Sequence, residues 1–455
     1  MTDLTEGSIT RHLLGMAAFI GVGLICQTLY FVIDLYFVSR LGKDAVAGVS
    51  AAGFVSFLAL ATSQIIAVGG LSLIARATGA KDQVQANLVS NQALGLSILA
   101  FAATLLLGYV AIMPLLGVFA ADDVTGRLGR AYLAAFLPSM AMMFPTAALG
   151  AALRATGVVQ PTMLVQTGSV LLNALLAPVL VAGWGTGIPL GVGGAGLASS
   201  IAAAFGLVAM AAVFPRAQAF LRIDRSALQP RFDIWGRIVA IGLPSAGEFF
   251  LMFTIVGVIY WVLRRFGPEA QAGFGIGSRV MQSIFLPAMA ISFAVAPVAG
   301  QNFGARRADR VRSTFFLAAA YSCGIMAGLT LLCQWSPAVL VGPFTDDAAV
   351  ASVATTYLGV QSWNFVATGL AFTCSAMFQA LGNTTPALLS SAGRLLTFAL
   401  PALYMASRPD LALVDLWHLS VASIAVQALC SVLLLRYELS RKLAPAALAP
   451  VPQPP

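Results

Sequence analysis

The stretch RLGKDAVAG, residues 40–48, returns with small changes as RFGPEAQAG at residues 265–273. Position 40 thus corresponds to position 265, and we call this constant shift along the chain the repeat offset. The same shift carries ATGVVQP, residues 155–161, onto ALGNTTP, residues 380–386. Matches that stay in register over such a long part of the chain, without a gap, indicate an internal duplication. The sequence therefore predicts two halves of similar structure.

Between the repeated motifs the chain consists mostly of long apolar runs. Hydrophobic residues make up 59% of its 455 residues and charged residues only 9%, whereas soluble domains carry about a quarter charged residues. A bilayer core is about 30 Å thick and requires roughly 20 apolar residues for each crossing helix. We predict transmembrane helices at residues 13–38, 46–74, 86–112, 131–153, 161–183, 191–214, 236–263, 270–299, 313–333, 354–378, 386–406 and 412–435.

These runs place six spans in each half, so both halves enter the membrane from the same side. The fold class predicted is an all-α integral membrane protein with twelve transmembrane helices, in two six-helix bundles related by a parallel internal repeat. We expect an N-terminal lobe at 1–214, a cytoplasmic linker at 215–235 and a C-terminal lobe at 236–442. The Pro/Ala-rich tail at 443–455 is expected to be disordered.

The distribution of basic residues predicts the orientation. With both termini inside, the cytoplasmic loops and ends hold more Lys and Arg than the outer loops, as the positive-inside rule requires. The central loop contributes Arg216, Arg222, Arg225, Arg231 and Arg237. We therefore expect a multi-pass protein of a cell membrane, in bacteria the inner membrane, with both termini cytoplasmic. Membrane orientation explains the net charge of +8, so the bilayer rather than nucleic acid is the expected partner.

Two acidic residues lie well within predicted spans: Asp34 in LYFVIDLYFV and Glu248 in PSAGEFFLMF. An acid at the centre of a membrane helix costs about 2.5–3.5 kcal/mol, which makes it a candidate functional residue. Apolar surroundings disfavour the charged carboxylate. Such an acid can take up a proton on one side and release it on the other, or provide oxygen ligands to a sodium ion. The alternative for Asp34 is a structural hydrogen bond to a neighbouring helix.

The residues before Asp34 extend the polar character of the first helix. Gln27, Tyr30 and Asp34 are spaced by three, four and seven residues and therefore share one helix face. They form a polar stripe on an otherwise apolar helix. We predict that this stripe belongs to a cation-coupling site.

Glu248 follows Pro244, which is expected to bend helix seven. Two interpretations are open: Glu248 belongs to a second acid site, or it forms a structural pair with Arg279 in helix eight. The other base within a span is Arg394, in helix eleven, which pairs with a carboxylate or lies in a water-filled cavity. No HExxH, CxxC or Walker-type motif is present, so no metal site or prosthetic cofactor is implied.

Several segments resemble the multidrug and toxin extrusion (MATE) antiporters, and the likeness covers nearly the whole chain. They are VIDLYFVSRLGKDAVAGVS, GLSLIARATGAKD, AALRATGVVQP, PVAGQNFGARRADR and FQALGNTTP. The resemblance implies export of small amphipathic, often cationic compounds in exchange for protons or sodium ions.

It further implies that Asp34 is the cation-coupling acid and that Asn173 provides an amide to the same site. Some members carry a second carboxylate four residues after that asparagine, where this chain has Ala177. We therefore expect protons rather than sodium as the coupling ion. Asp34 and Asn173 would hold the ion if sodium were used.

Two alternative functions compete with antiport. A flippase for lipid-linked saccharides often has fourteen spans and a cavity with several bases, whereas this chain has twelve predicted spans and two intramembrane arginines. A membrane-embedded transferase would require clustered acids, histidines or a metal motif, which the sequence lacks. We therefore expect a transporter rather than an enzyme, acting as a monomer.

Overall fold

The computed structural model describes residues 2–113, 123–217, 219–224 and 226–444, which contain helices and connecting loops but no strand. The long helices are α1 (Ile9–Ser39), α2 (Lys43–Gly79), α3 (Gln83–Leu107), α4 (Asp123–Ala155), α5 (Gln160–Ala182), α6 (Gly191–Ala217), α7 (Phe232–Leu263), α8 (Pro268–Ile284 and Leu286–Gly304), α9 (Ala308–Trp335), α10 (Ala348–Gln361 and Phe365–Ala380), α11 (Thr385–Ala406) and α12 (Leu413–Lys442). Shorter helical turns lie at Gly108–Ile112, Ser226–Leu228, Arg264–Phe266, Pro337–Val341, Gly342–Phe344 and Ser362–Asn364.

The helix count confirms the predicted fold class. Within the described part of the chain, 11 helices are long and apolar enough to cross a membrane. The remaining predicted span is α10, which a short helical turn divides into two segments of 16 residues or fewer. The protein is therefore an all-α membrane protein whose helices agree with the twelve predicted spans.

The backbone repeats its unusual conformations at the repeat offset. Lys81 and Arg306 both have φ of 58°, and Gly42 and Gly267 have φ of 102° and 87°. A positive φ is uncommon for a residue other than glycine, so its recurrence at Lys81 and Arg306 is a specific match. The turns after α2 and after α8 are thus copies of one structure, as the duplication predicts.

The described residues form two compact units whose boundaries differ from the predicted lobes. The first unit falls within residues 1–3 and 19–243, and the second within 4–18 and 244–455. The linker at 215–235, predicted to separate the lobes, belongs to the first unit. The boundary between the units falls inside α1, between residues 18 and 19, and inside α7, between residues 243 and 244. These two positions correspond by the repeat offset, and both helices continue through them. Of the predicted tail, residues 445–455 lie outside the described residues.

Side-chain amides explain why the central linker groups with the first unit. On α3, Asn91 donates to the carbonyl oxygen of Arg222 (2.8 Å) and accepts from the backbone N–H of Asp224 (2.9 Å). One residue later, Gln92 accepts from the backbone N–H of Arg231 (2.9 Å). A side-chain amide both donates and accepts, so it can pair with the backbone N–H and C=O groups of a loop that lack partners within the loop. The linker is therefore fixed to α3.

Helices α4 and α10 each contain, at corresponding positions, a backbone carbonyl oxygen that accepts a hydrogen bond from a side chain outside the helix. Pro138 in α4 has no N–H, so the carbonyl oxygen of Ala134 has no helical donor; the hydroxyl of Tyr109 donates to it instead (2.7 Å). In the second half, Gln334 Nε2 donates to the carbonyl oxygen of Gly359 (2.7 Å). Donor and acceptor both correspond by the repeat offset. Each half therefore satisfies a carbonyl with a side chain from an earlier segment, the helical turn after α3 in the first half and α9 in the second, as apolar surroundings require.

Within the first unit, α2 and α7 approach each other backbone to backbone. A Cβ atom added to Gly69 would collide with the carbonyl of Ile238, and one added to Gly242 would collide with the carbonyl of Ile65. Small residues at such crossings let membrane helices pack closely. The position of α7 beside α2 therefore depends on these two glycines.

We predict that Gly242→Ala destabilises the protein by about 1–3 kcal/mol, the usual cost of overpacking, because the new methyl group meets the backbone of α2. Thermal unfolding of the purified protein in detergent measures this change. Gly236→Ala, on the same helix, is the matched control, since nothing lies within 4 Å of its added Cβ atom. Equal melting temperatures for the two variants would contradict the close crossing.

Candidate functional site

The carboxylate of Asp34 faces another helix of its own unit. The hydroxyl of Tyr132, on α4, donates a hydrogen bond of 3.3 Å to Asp34 Oδ2. Asp34 is half-buried and Tyr132 is only 4% exposed. The acid that the sequence singled out is therefore directed at a buried phenol, which is a good donor to a carboxylate.

Tyr30, one turn before Asp34 on α1, links this acid to two further helices. Its side chain forms hydrogen bonds with Ser199 on α6 and Ser139 on α4, and it lies close enough to Asp34 to interact electrostatically. The stripe predicted on α1 thus contacts polar side chains on α4 and α6. These contacts hold the polar face of α1 towards the interior of the first unit.

The proline in α4 disturbs the helical hydrogen bonds near Ser139, and a polar side chain from α6 satisfies the backbone groups there. Ser139 follows Pro138 directly, at the point where the helical hydrogen bonds are disturbed. Ser200 Oγ donates to the carbonyl oxygen of Ala135 (2.5 Å) and accepts from the backbone N–H of Ser139 (3.2 Å). Ser200 therefore bridges the opened turn, and the turn places Ser139 beside Tyr30.

Asn173 completes the cluster from α5. It is fully buried, and its Nδ2 donates to Ser199 Oγ (3.4 Å). Its Oδ1 is buried and has no hydrogen-bond donor among the described residues. A buried amide oxygen without a partner is a free acceptor for a water molecule, a protonated group or a cation. The network thus runs from Asp34 through Tyr30 and Ser199 to Asn173.

The structure brings together three of the four residues predicted for this site: Tyr30, Asp34 and Asn173. Gln27 is half-buried and forms no hydrogen bond with residues that the structure describes. Sequence reasoning missed Tyr132, Ser139 and Ser199. Of these, only Tyr132 left a signal, because the duplication repeats its Tyr-Leu pair as Tyr357-Leu358.

Glu248 lies in a second polar cluster, within the second unit. Its Oε2 accepts from Ser375 Oγ on α10 (2.9 Å) and its Oε1 accepts from Ser391 Oγ on α11 (3.4 Å). Gln427 Nε2, on α12, donates to Ser391 Oγ (3.0 Å). Both carboxylate oxygens therefore have neutral donors. The sequence did not indicate these partners, because serines in apolar helices are most often packing residues.

The predicted structural pair of Glu248 with Arg279 is wrong. None of the ion pairs between described residues involves Glu248, and the side chain of Arg279 is exposed on α8. Serine hydroxyls provide the hydrogen bonds that the arginine was expected to provide. A role for Glu248 in a second acid site stays a prediction.

The two clusters are not copies of each other. At the repeat offset, four polar residues of the first cluster have apolar, buried counterparts; in the order Tyr30, Asp34, Asn173 and Ser199, these are Ile255, Ile259, Phe398 and Ile424. Tyr132 and Ser139 keep polar counterparts, Tyr357 and Asn364. Conversely, the position of Glu248 corresponds to Gly23 in the first half. The duplicated framework is therefore retained while its acids occupy different places.

Comparison with known proteins agrees with the duplicated framework. The MatE family model matches residues 20–179 and again residues 244–405, once in each half. The chain is 25% identical over 392 residues to the multidrug export protein MepA of Staphylococcus saprophyticus, covering 83% of both chains. It is 23% identical over 415 residues to the FAD transporter of Shewanella oneidensis, covering 90% of both.

The fold is also found in a solved structure. The outward-facing conformation of a multidrug resistance MATE family transporter aligns with a TM-score of 0.89 at 23% identity, covering 99% of this chain and 98% of that one. The family match in both halves and the helices that agree with twelve spans lead to one assignment. This chain belongs to the MatE family of multi-span membrane transporters.

Proposed function

We propose that the protein is a secondary antiporter that exports small amphipathic, often cationic compounds in exchange for protons, by alternating access. The hydrogen bond between Tyr132 and Asp34 carries this proposal, because it holds a carboxylate inside a membrane helix without an ion-pair partner among the described residues. Such an acid is retained where its protonation is used.

The geometry supports a simple exchange cycle. Without its proton, Asp34 carries a negative charge that Tyr132 stabilises by donating its hydroxyl hydrogen. A cationic cargo is attracted to the charged form, whereas protonation removes the charge and the attraction. Proton and cargo therefore oppose each other's binding, and this opposition is reciprocal by thermodynamic linkage. Exchange follows if the site opens to one side of the membrane at a time.

The oxygen atoms near Asp34 favour a proton over sodium as the coupling ion. Asp34 and the free Oδ1 of Asn173 would be the ligands of a sodium ion. One turn further along α5, the buried Ala177 provides no additional oxygen. A sodium ion needs several oxygen ligands to replace its water shell, whereas a proton needs only the carboxylate. Proton coupling is therefore the proposal, and sodium coupling is tested beside it.

The named relatives support export of small molecules and differ in their cargo. One is a multidrug export protein and the other an FAD transporter. We propose a place in the bacterial inner membrane with both termini in the cytoplasm, which agrees with the basic central linker. The relatives therefore leave the cargo to be determined from the site.

We predict that Asp34→Asn abolishes export of an ethidium-like cation driven by a pH gradient in proteoliposomes. The amide keeps the size and hydrogen bonding of the side chain but cannot exchange a proton. Transport is measured with an imposed pH gradient and, separately, with an imposed sodium gradient. We expect the native protein to export the cation when a pH gradient is imposed and not when only a sodium gradient is imposed.

The control for this experiment is Asp233→Asn, since Asp233 is an exposed acid at the start of α7 whose ion pair with Arg231 spans 3.6 Å. An exposed pair of this kind contributes little to stability, so export should be unchanged. Native rates in the Asp34→Asn variant would remove Asp34 from the mechanism. A response of the native protein to sodium alone would replace the proton as the coupling ion.

We predict that Tyr132→Phe lowers the pH-driven export rate by about tenfold while the protein stays folded, because the carboxylate loses a long hydrogen bond of 3.3 Å, worth about 1.4 kcal/mol. Initial rates in proteoliposomes give the size of the effect. Tyr109→Phe is the matched control, since its hydroxyl bonds only to the Ala134 carbonyl away from the acid. Equal losses in both variants would assign Tyr132 a purely structural role.

We predict that Glu248→Gln reduces export several-fold without abolishing it, if Glu248 contributes a second acid to the cycle. The amide oxygen can still accept from one of the two serines, and the amide NH2 can donate to the hydroxyl oxygen of the other, so a structural role alone would leave the rate nearly unchanged. The matched control is Glu269→Gln, an exposed acid in the first turn of α8. Native rates at every pH tested would exclude Glu248 from coupling.

A further inference from the structure

The second unit holds an intramembrane base near the place where the first unit's site would be repeated. Arg394 lies on the face of α11 that also carries Ser391 and Phe398, three residues before it and four after it. Phe398 is the repeat counterpart of Asn173. Arg394 is therefore one helical turn from the position where the first half has its buried amide.

Arg394 neighbours Tyr357, the repeat counterpart of the tyrosine that donates to Asp34. Tyr357 is 2% exposed and lies close enough to Arg394 for an electrostatic interaction. In the first unit, Tyr132 stands beside a carboxylate; in the second, Tyr357 stands beside a guanidinium. Corresponding tyrosines of the two halves thus lie near side chains of opposite charge, which come from different helices.

Hydrogen-bond donors around Tyr357 lack acceptors. The Nε of Arg394 and the Nε1 of Trp417 are both buried without a hydrogen-bond partner among the described residues. The ring of Trp417 packs edge-on against Tyr357, with 4.8 Å between centroids. The Tyr357 hydroxyl donates to Met281 Sδ (3.7 Å), and a thioether is a weak acceptor. Two of these donors, on Arg394 and Trp417, thus have no acceptor among the described residues, and the third, on Tyr357, has a weak one.

The described part of the protein provides no counter-charge for this arginine. No ion pair between described residues includes Arg394, and Glu248, the buried acid of the same unit, accepts from Ser375 and Ser391 instead. A charged side chain in a membrane helix is costly unless it is paired or solvated. A cluster made of donors, one of them cationic, fits a ligand that carries a negative charge on oxygen.

We propose that Arg394, together with Tyr357 and Trp417, binds an anionic oxygen group, a carboxylate or a phosphate, carried by the transported compound. The guanidinium offers a planar set of donors that matches such groups in two-point contact. This inference rests on the proposed export function and narrows its cargo. The favoured substrates within the proposed class are zwitterions, amphipathic compounds that carry an anionic group besides their positive charge.

The test compares two dyes that differ only in the anionic group. Rhodamine B has a free carboxylate, and its ethyl ester does not. Binding of each dye to the purified full-length protein is measured by fluorescence anisotropy in nanodiscs of phosphatidylcholine. We expect Arg394→Met to weaken binding of rhodamine B by about tenfold, equivalent to roughly 1.4 kcal/mol, and to leave binding of the ester within about twofold.

Matched variants separate charge recognition from loss of structure. Arg312→Met, at an exposed arginine of the same unit, should change neither dye. If Arg394→Met fails to fold, Tyr357→Phe is tested in its place, since it removes one donor and keeps the ring. Rhodamine B should then bind several-fold more weakly, and the affinity for the ester should be unchanged. Equal losses for both dyes, or no loss for rhodamine B in folded variants, would overturn the proposal.

A second arm identifies the source of the anionic group. If phosphatidylglycerol added to the nanodiscs competes with rhodamine B in native protein and not in Arg394→Met, the headgroup of a lipid with net negative charge also occupies this site; lack of competition assigns the anionic group to the cargo. Binding is measured without any gradient. If Arg394→Met does not change the preference for rhodamine B over its ester while the native protein exports, only this inference is overturned. If the preference depends on Arg394 but the native protein does not export, only the proposed function is overturned.

Discussion

The bilayer interior has no water to satisfy polar groups, so each polar group placed there must find its partner within the protein or in a ligand. This constraint accounts for the arrangement around Pro138, where the proline frees a carbonyl and Tyr109 satisfies it. It also accounts for the second polar cluster, in which Ser375 and Ser391 donate to Glu248. Polar side chains in these helices therefore form small connected groups.

The same constraint makes the incompletely satisfied groups informative. Asn173 Oδ1, Arg394 Nε and Trp417 Nε1 are buried without partners among the described residues. In a protein whose other polar atoms are mostly paired, such groups point to something that binds transiently. An acceptor near Asp34 suits a proton carrier or a cation, and donors near Arg394 suit an anion. These three atoms, out of a larger set of buried atoms without partners, thus favour a ligand with an acceptor beside Arg394 and a donor or cation beside Asn173.

The internal duplication provides a framework that each half has adapted separately. The turns, the positive φ of Lys81 and Arg306 and the side-chain donors to backbone carbonyls recur at one offset. The buried acids do not, since Ile259 takes the place of Asp34 in the second half and Gly23 that of Glu248 in the first. Packing and turn geometry are required in both halves for folding, whereas charges are required only where a ligand binds. Divergence of the charges with retention of the framework is the expected outcome.

The sequence by itself determined the membrane class, the number of spans and the duplication, because length and hydrophobicity are local properties of the chain. Span five, predicted at 161–183, is observed at Gln160–Ala182. Asp34 was identifiable for the same reason, as an acid within an apolar run. Only the tertiary structure decided which polar groups meet, since this depends on how each helix is rotated about its axis. It joined Tyr30 with Ser199, separated Arg279 from Glu248 and placed one unit boundary inside α1, where the sequence has no proline, and the other at Pro244 of α7.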